Sequence, residues 1–549
     1  MDMKELRGRG VSGGIAVGKI FFLEKADKKI IRRKVDNVRA ELERLSASAD
    51  AYLDRLMALK VKTYAQAGED SSMIFETHSL MLMDPDFMGE IENMIQSQSV
   101  NAEYAVKLTG DRLAESLRLS DSEYMRERAA DVEDITDGLI DTLAGRRTSL
   151  PAGEKFIVAA EDLSPGETAS FDRDSVLAFI TKYGSATSHT SILARTMGIP
   201  AIVGVDDMDP GWDGRTACAD GNSGAVYIDP DRATVKAAEE KLRLQKENDL
   251  RLSSLIGRPS VTAEGRKIML FANITTPADI DAVLSNDAEG IGLFRSEFMY
   301  MDRRSLPSEE ELFSVYSSIA ARMGGKPVII RTLDIGADKK APGIDLGEEE
   351  NPALGLRAIR LCLKRRDIFK TQLRAIYRAS LKGNIYIMLP MITTKKELED
   401  SLAIAGGVRA ELKADGIEFK DVPVGIMIET PSAALISDEL AELADFFSVG
   451  TNDLTQYTLA CDRQNPALSD LYDPSETSVL RLIKLAADNI HKKGKWIGVC
   501  GEAAADRELL EIFMSMGIDE LSVSPKRVLY VRDALGKAAG RSSLEKYTL

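Results

Sequence analysis

After Pro259 the sequence alternates short apolar runs with helical or loop material. Eight such runs can be counted: Met269–Ala272, Gly290–Phe294, Val328–Thr332, Ile385–Leu389, Val424–Ile428, Asp445–Val449, Trp496–Val499 and Glu520–Val523. Strands alternating with helical patterns belong to a parallel sheet, and eight β/α units in about 290 residues match the count and size of a (β/α)8 TIM barrel. Active-site groups of that fold sit past the C-terminal strand ends. Here those ends carry Asn273, Arg295 with Glu297, Arg331 with Asp334, Glu429, Asn452 with Asp453, and Cys500 with Glu502.

Guanidinium groups present paired donors that match phosphate and carboxylate, which makes Arg295, Arg331, Arg463 and Arg357 candidate anion binders. Any one of them alone is more often a surface ion pair; their recurrence at strand ends and adjacent loops favours a site. Glu429 and Asp453 are hard oxygen ligands of the kind that hold Mg²⁺ together with water and substrate phosphate. Pairing with the arginines alone is the other reading of the two carboxylates. A dianionic phosphate among carboxylates favours the metal.

A chain of 549 residues exceeds one ordinary core, so further domains are expected ahead of the barrel. Residues from about Val11 to Leu23 alternate and read as strands. From Val35 to Leu59 apolar residues recur every three or four positions, and further helices are expected over Ile74 to Met83, Asn101 to Leu119 and Tyr124 to Leu143, with Asp84-Pro85 as a break. Strand signals resume at Lys155–Ala159, so a helical bundle interrupts an α/β domain. Ala233 to Leu252 is rich in strong helix formers and reads as a helical linker. The expected organisation is an α/β domain on residues 1–30 and 145–230, a helical insertion on 31–144, a linker on 231–258 and the barrel on 259–549.

Within the α/β domain, YGSATSHTSILARTMGIPAIVGV (Tyr183 to Val205) places His189, one of only three histidines, in a small-residue loop between a strand signal and a helix signal. Such a loop offers backbone N–H groups, hydroxyls and a helix N-terminus to an anion. Neutral imidazole there could attack a phosphoryl group and carry it. Taken alone, a loop histidine is more often a structural one, and the surrounding sequence reverses that reading here. His78 and His491 read as a packed or surface residue and a solvated helix end, and neither is assigned chemistry.

The His189 window resembles the phosphohistidine signature of enzymes that move phosphate to or from phosphoenolpyruvate, in which G-x-x-T/S-S-H precedes an A-R dipeptide. Ser185 stands where many relatives have a second Gly or an Arg. In the barrel, GLFRSEFMY, RTLDIGADK, NPALGLRAIR, GIMIETP, FFSVGTNDLTQYTLACDR and GVCGEAA resemble the motifs of the Enzyme I family of bacterial phosphotransferase systems, and the likeness runs through essentially the whole chain. It implies a swivelling phosphohistidine domain with an inserted bundle, followed by the barrel. By the same resemblance His189 is phosphorylated near Arg195, Glu429 and Asp453 bind Mg²⁺, and Arg295, Arg331, Asn452, Arg463 and Arg357 hold phosphoenolpyruvate.

The resemblance gives Cys500 the role of proton donor to the enolate, although the residue alone reads as a small buried side chain. It gives Thr168 the role of orienting the histidine ring, where a helix cap is equally available. It further implies docking of the carrier protein HPr on the bundle, a homodimer through the barrel, and movement about Leu143–Pro151 and Ile228–Pro259. Pyruvate-phosphate dikinases and phosphoenolpyruvate synthases share the histidine loop and barrel but require a nucleotide-binding domain that no segment is free to supply. A regulatory paralogue that binds without turnover is the non-enzyme alternative, and intact His189, Glu429, Asp453 and Cys500 weigh against it.

A formal charge of −16, from 71 basic against 87 acidic residues, argues against nonspecific binding to nucleic acid or anionic membrane. No apolar run approaches ~18 residues, and the N-terminus lacks the apolar segment of a signal peptide. Four scattered cysteines without CxxC spacing argue against a disulfide framework or a zinc site and fit a reduced cytoplasm. The N-terminus also lacks the sensory segment of nitrogen-branch relatives, which points to sugar uptake.

Overall fold

The computed structural model describes residues 3–23, 30–120, 123–146, 154–171, 175–184, 189–301, 305–336, 343–344, 347, 349–463, 465–468 and 470–538. These form two compact units, Met1–Asn248 and Asp249–Leu549.

The first unit is built on an eight-stranded mixed sheet. Its strands are β1 (Lys4–Arg7), β2 (Arg9–Ser12), β3 (Ile15–Leu23), β4 (Phe156–Ala160), β5 (Val176–Thr181), β6 (Ala201–Val203), β7 (Thr216–Asp220) and β8 (Ala225–Ile228), in the order β1-β8-β7-β3-β4-β5-β6-β2. β3, β4, β5 and β6 pair in parallel, while β7 and β8 form an antiparallel extension beside β3.

Between β3 and β4 stand four helices, α1 (Val38–Leu82), α2 (Pro85–Gln98), α3 (Ala102–Arg118) and α4 (Glu123–Leu143). The sequence divides α1 into two helices. The structure has one of 45 residues, because nothing between Leu59 and Ile74 removes a helical hydrogen bond: Gly68 is the weakest helix former there, and a single Gly costs only about 1 kcal/mol. The expected break at Asp84-Pro85 is a helix start. Asp84 Oδ1 accepts from Asp86 N at 2.8 Å and Phe87 N at 3.3 Å, and Pro85 occupies the first turn, where its missing N–H costs nothing.

One apolar core runs from the bundle onto the sheet, joining Leu45, Leu56, Phe75, Ile91 and Ile95 to Val158, Phe179, Leu193 and Met197. Bundle and sheet therefore fold as neighbours in one unit. α5 (Pro165–Ser170) opens with a capping box between Ser164 and Glu167, α6 (His189–Met197) follows β5, and α7 (Arg232–Ser253) has no buried residue.

The second unit is a closed barrel of eight parallel strands. They are β9 (Met269–Ile274), β10 (Ile291–Arg295), β11 (Pro327–Arg331), β12 (Asn384–Leu389), β13 (Val424–Ile428), β14 (Phe447–Val449), β15 (Ile497–Val499) and β16 (Glu520–Val523), with β16 returning to β9. Each coincides with one of the eight apolar runs. A sleeve of buried side chains packs between strands and surrounding helices, and a smaller interior cluster of Phe271, Leu293, Ile329, Met388, Met427, Phe446 and Cys500 fills the barrel. Gly498 belongs to this interior, because a Cβ there would lie 1.9 Å from Glu520 Oε2.

One strand-end expectation changes. β9 extends to Ile274, so Asn273 lies inside the strand. Its Nδ2 donates to the carbonyl oxygens of Cys500 at 2.9 Å and Ser522 at 3.0 Å, tying three strands together. Among the described residues no helix is long and apolar enough to cross a membrane.

Candidate active site

The C-terminal strand ends open into a pocket of about 550 Å³. It is lined by Arg295, Arg331, Arg357, Glu429, Asn452, Asp453, Arg463 and Cys500, which are all the barrel residues singled out from the sequence as ligands or acid, together with Glu297, Asp334, Tyr472 and Glu502. The last pair of residues in the β10–β11 ladder is Arg295 and Arg331, so both guanidinium-bearing positions end at one height.

Two of the arginines are buried and held by carboxylates. Arg331 is ion-paired with Glu297, and its Nη1 lies 3.1 Å from Asp334 Oδ2. Arg357 grips Asp334 with its fork, Nε donating to Oδ1 at 3.1 Å and Nη2 reaching Oδ1 and Oδ2 at 2.9 Å, while Nη1 lies 3.4 Å from Asp453 Oδ1 and donates to Tyr457 OH at 3.2 Å. Burial alone would lower the pKa of both guanidinium groups, and the surrounding carboxylates more than offset it, so both are raised. Arg331 Nε has no partner, which leaves donor capacity inside the pocket wall. Arg295 and Arg463 are exposed. The loop bearing Arg463 is fixed through its backbone, Arg463 N donating to Gln456 Oε1 at 3.1 Å.

Glu429 is 0% exposed. Its Oε1 accepts from Met391 N at 2.5 Å, and its Oε2 has no partner. Burial, then the charges of Asp453 and Asp334, push this carboxyl up to about 8 against the opposing pull of Arg331 and Arg357. Gly450 leaves it room, since a Cβ there would lie 2.9 Å from Glu429 Cβ and 3.0 Å from Oε2. Asn452 is fixed by an exchange with Glu502, its Oδ1 accepting from Glu502 N at 3.2 Å, and its carbonyl accepts from Tyr472 OH at 3.1 Å.

Cys500 is 2% exposed, with Sγ 3.6 Å from the carbonyl oxygen of Val449. Burial is the chief reason its thiol is pushed up to about 12, which keeps the proton on sulfur at neutral pH. A protonated thiol at the mouth of an anion-binding pocket can donate to a carbanionic carbon.

Among the described residues no group of three or more His, Cys, Asp and Glu converges as a metal cluster. Glu429 and Asp453 nonetheless fit a hard cation. Mg²⁺ is commonly held by one or two carboxylates with water and substrate phosphate completing the shell, and an unpartnered oxygen on a fully buried carboxylate is the position such an ion would satisfy.

In the first unit His189 is the first residue of α6. Its side chain and the loop Ser185–Ser188 lie outside the described residues. Thr168 Oγ1 donates to the Ser164 carbonyl at 2.9 Å and reaches Thr190 Oγ1 at 3.5 Å, while Thr190 Oγ1 donates to the Leu163 carbonyl at 2.7 Å. The start of α5 is thus stitched to the residue after His189. Arg195 is exposed on α6. His78 is buried with Nε2 3.4 Å from Asp131 Oδ1, and His491 pairs with Asp519 at 2.9 Å.

Sequence reasoning missed the main chain of Met391, the hydroxyls of Tyr457 and Tyr472, and the pairing roles of Glu297 and Asp334. A backbone donor leaves no mark in side-chain identity. The carboxylates stood at strand ends, but nothing in their spacing shows which arginine each one meets.

Three family models match the chain: the N-terminal segment of phosphoenolpyruvate-utilising enzymes over residues 7–128, their mobile domain over 152–224 and their phosphoenolpyruvate-binding domain over 251–539. The chain is 42% identical over 536 residues to a phosphoenolpyruvate-protein phosphotransferase of Priestia megaterium, covering 97% of this chain and 94% of that one. It is 42% identical over 539 residues to the protein of the same name from Bacillus subtilis, covering 97% and 95%. A solution NMR structure of Enzyme I is 31% identical, covers 44% of this chain and 99% of its own, and has a TM-score of 0.40.

Proposed function

The chain belongs to the phosphoenolpyruvate-protein phosphotransferases within the phosphoenolpyruvate-utilising enzymes, and on that basis we propose that it moves the phosphoryl group of phosphoenolpyruvate onto His189 and then onto a histidine of the carrier HPr, the first step of phosphotransferase-system sugar uptake. The observation that carries the reading is the barrel pocket, where buried arginines, a carboxylate with an open oxygen and a protonated thiol line one cavity.

In this reading Arg295, Arg331, Arg357, Arg463 and Asn452 bind the phosphate and carboxylate of the substrate and hold them in line with an incoming imidazole. His189 attacks phosphorus; a P–N bond forms as the bond from phosphorus to the enol oxygen breaks. The electron pair stays with the leaving enolate, and the arginines stabilise its developing charge. The enolate carbon takes the proton of Cys500, making pyruvate and leaving a thiolate that solvent reprotonates. Mg²⁺, held by Glu429 and Asp453, would supply charge neutralisation between those carboxylates and the phosphate.

The phosphorylated imidazole must serve two partners in turn, so the α/β portion swings about the segments flanking it, with residues 1–30 and 145–230 as the swivelling part, 31–144 docking HPr, 231–258 as linker and 259–549 as the barrel. Part of the first flanking segment Leu143–Pro151, residues 147–151, lies outside the described residues. Thr168 orients the histidine through its contact with Thr190. Dimerisation through the barrel and a cytoplasmic location complete the reading.

Incubation with radiolabelled phosphoenolpyruvate and Mg²⁺, with and without HPr, tests it. Acid-labile label on the native chain and none on His189→Ala, passing to HPr, is the expected result. A folded native chain that takes no label would turn the reading toward a regulatory, non-transferring paralogue.

A further inference from the structure

We propose that Gln372, which does not line the pocket, is a positioning residue that sets Arg295 and Arg331 relative to one another; the inference rests on the phosphotransferase reading of the barrel.

The backbone ladder between β10 and β11 ends at Arg295 and Arg331. Above that point the two chains diverge into a short turn, Ser296–Met299, and a loop from Thr332, so sheet hydrogen bonds no longer fix their offset. A side chain does so instead. Gln372, on the helix Arg366–Ala379, is 0% exposed and sends its amide between the two strand ends. Its Oε1 accepts from Leu333 N at 3.0 Å, and its Nε2 donates to Ser296 Oγ at 2.9 Å and to Tyr316 OH at 3.1 Å. Ser296 Oγ donates onward to the carbonyl oxygen of Arg331 at 2.7 Å.

The orientation of the amide is forced. Leu333 N–H can only donate, so the carbonyl oxygen must face it, and both amide hydrogens are then spent on the two hydroxyls. The residue following Arg295 is in this way bonded to the backbone of Arg331 and, through one amide, to Leu333. Two guanidinium groups gripping one small dianion act together only if their spacing is held, and a displacement of about 1 Å away from the chemistry is enough to weaken binding and turnover. Methionine has nearly the length of glutamine and none of its hydrogen bonds, so Gln372→Met frees the offset without opening a large cavity.

The test uses the full-length chain and four variants: Gln372→Met, Ser296→Ala, the two combined, and Tyr316→Phe, which removes the hydroxyl on the helix Glu309–Arg322 and leaves the Leu333–Gln372, Gln372–Ser296 and Ser296–Arg331 bonds in place. KM for phosphoenolpyruvate and kcat for carrier phosphorylation are measured together with Tm. Gln372→Met and Ser296→Ala are each expected to raise KM about tenfold with a smaller change in kcat, the size of one lost hydrogen bond's effect. Because both act through one chain of bonds, the double variant should be no worse than the more severe single one. Tyr316→Phe should lower Tm and leave KM unchanged.

An unchanged KM in folded Gln372→Met, effects that multiply in the double variant, or a Tyr316→Phe KM that rises as far, would each overturn the assignment. Should Gln372→Met fail to fold, an unchanged KM in Ser296→Ala overturns it alone. A wild-type chain that takes no phosphate from phosphoenolpyruvate removes the underlying reading and this inference with it, which no variant-only result can do.

Discussion

The main-chain N–H of Met391 donates to one oxygen of Glu429 at 2.5 Å, and the other oxygen of that carboxylate has no partner. Met391 is 2% exposed and sits at a φ of 59°, a left-handed conformation that costs a non-glycine residue about 1–2 kcal/mol. β12 offers no side chain to the pocket, yet the strained residue just past it aims a backbone donor at the carboxylate. One oxygen is anchored and the other is left without a hydrogen-bond partner.

Glu429→Gln should therefore separate stability from activity. The amide keeps an acceptor for Met391 N and loses a buried acid whose neighbours Asp453 and Asp334 repel it. With a chelator present at pH 8, the variant should melt about 2–4 °C above wild type, the shift that ~1 kcal/mol brings in a domain of this size. Labelling by phosphoenolpyruvate should fall by about 100-fold or more. A variant that melts lower while labelling normally would contradict both halves.

Cys500→Ala tests the division of labour between bond cleavage and protonation. Breaking the P–O bond does not use the thiol, so a single turnover should still place label on the protein. Steady-state release of pyruvate should fall about 100-fold, the usual contribution of a general acid. With phosphoenolpyruvate stereospecifically tritiated at C3 and turnover in heavy water, the CHDT methyl of pyruvate should become racemic in the variant and keep one configuration in the wild type. Since burial holds the thiol at about 12, it should add no limb to the pH–rate profile between about pH 6 and 9.

The barrel was legible because each strand is a continuous apolar run separated from the next, so count and order survive errors of a residue or two at the ends. The charged residues past those runs were legible for the same reason, and all eight barrel residues named for the site line one pocket. Asn273 was misplaced by two residues of strand length, which turned an apparent pocket group into an interstrand tie. The unity of α1 was hidden because a polar, glycine-containing stretch reads as a break when no partner surface is known. Met391 shows a deeper limit: its contribution is a dihedral angle and an N–H, and neither depends on the side chain that the sequence records.

Arg357→Lys asks whether a charge alone suffices opposite Asp334. Nε and Nη2 donate to that carboxylate at 3.1 and 2.9 Å while Nη1 lies 3.4 Å from Asp453, a geometry an ammonium cannot reproduce. KM for phosphoenolpyruvate should rise about tenfold, and the barrel should lose about 1–3 kcal/mol in denaturant unfolding as Asp334 is left partly unpaired. A lysine variant with native KM would place Arg357 outside the substrate's reach.

Glu520 gives the barrel a pH-dependent stability that has nothing to do with substrate. It is buried at the start of β16 with Oε2 unpartnered, Ser522 Oγ donating to Oε1 at 2.5 Å, and burial pushes its carboxyl from 4.5 up to about 8. The folded state therefore holds this proton more tightly than the unfolded chain. Its contribution is complete below the unfolded value, near pH 4.5, and is lost as pH rises toward 8, where the folded chain must either keep a charge in the apolar barrel interior or bind a proton at a cost. Glu520→Gln removes that slope. Urea unfolding of the two proteins from pH 5 to 9 should show curves that are close at pH 5 and diverge as pH rises, with the variant the more stable at pH 8 to 9; parallel curves would mean that Glu520 is ionised in the folded barrel throughout.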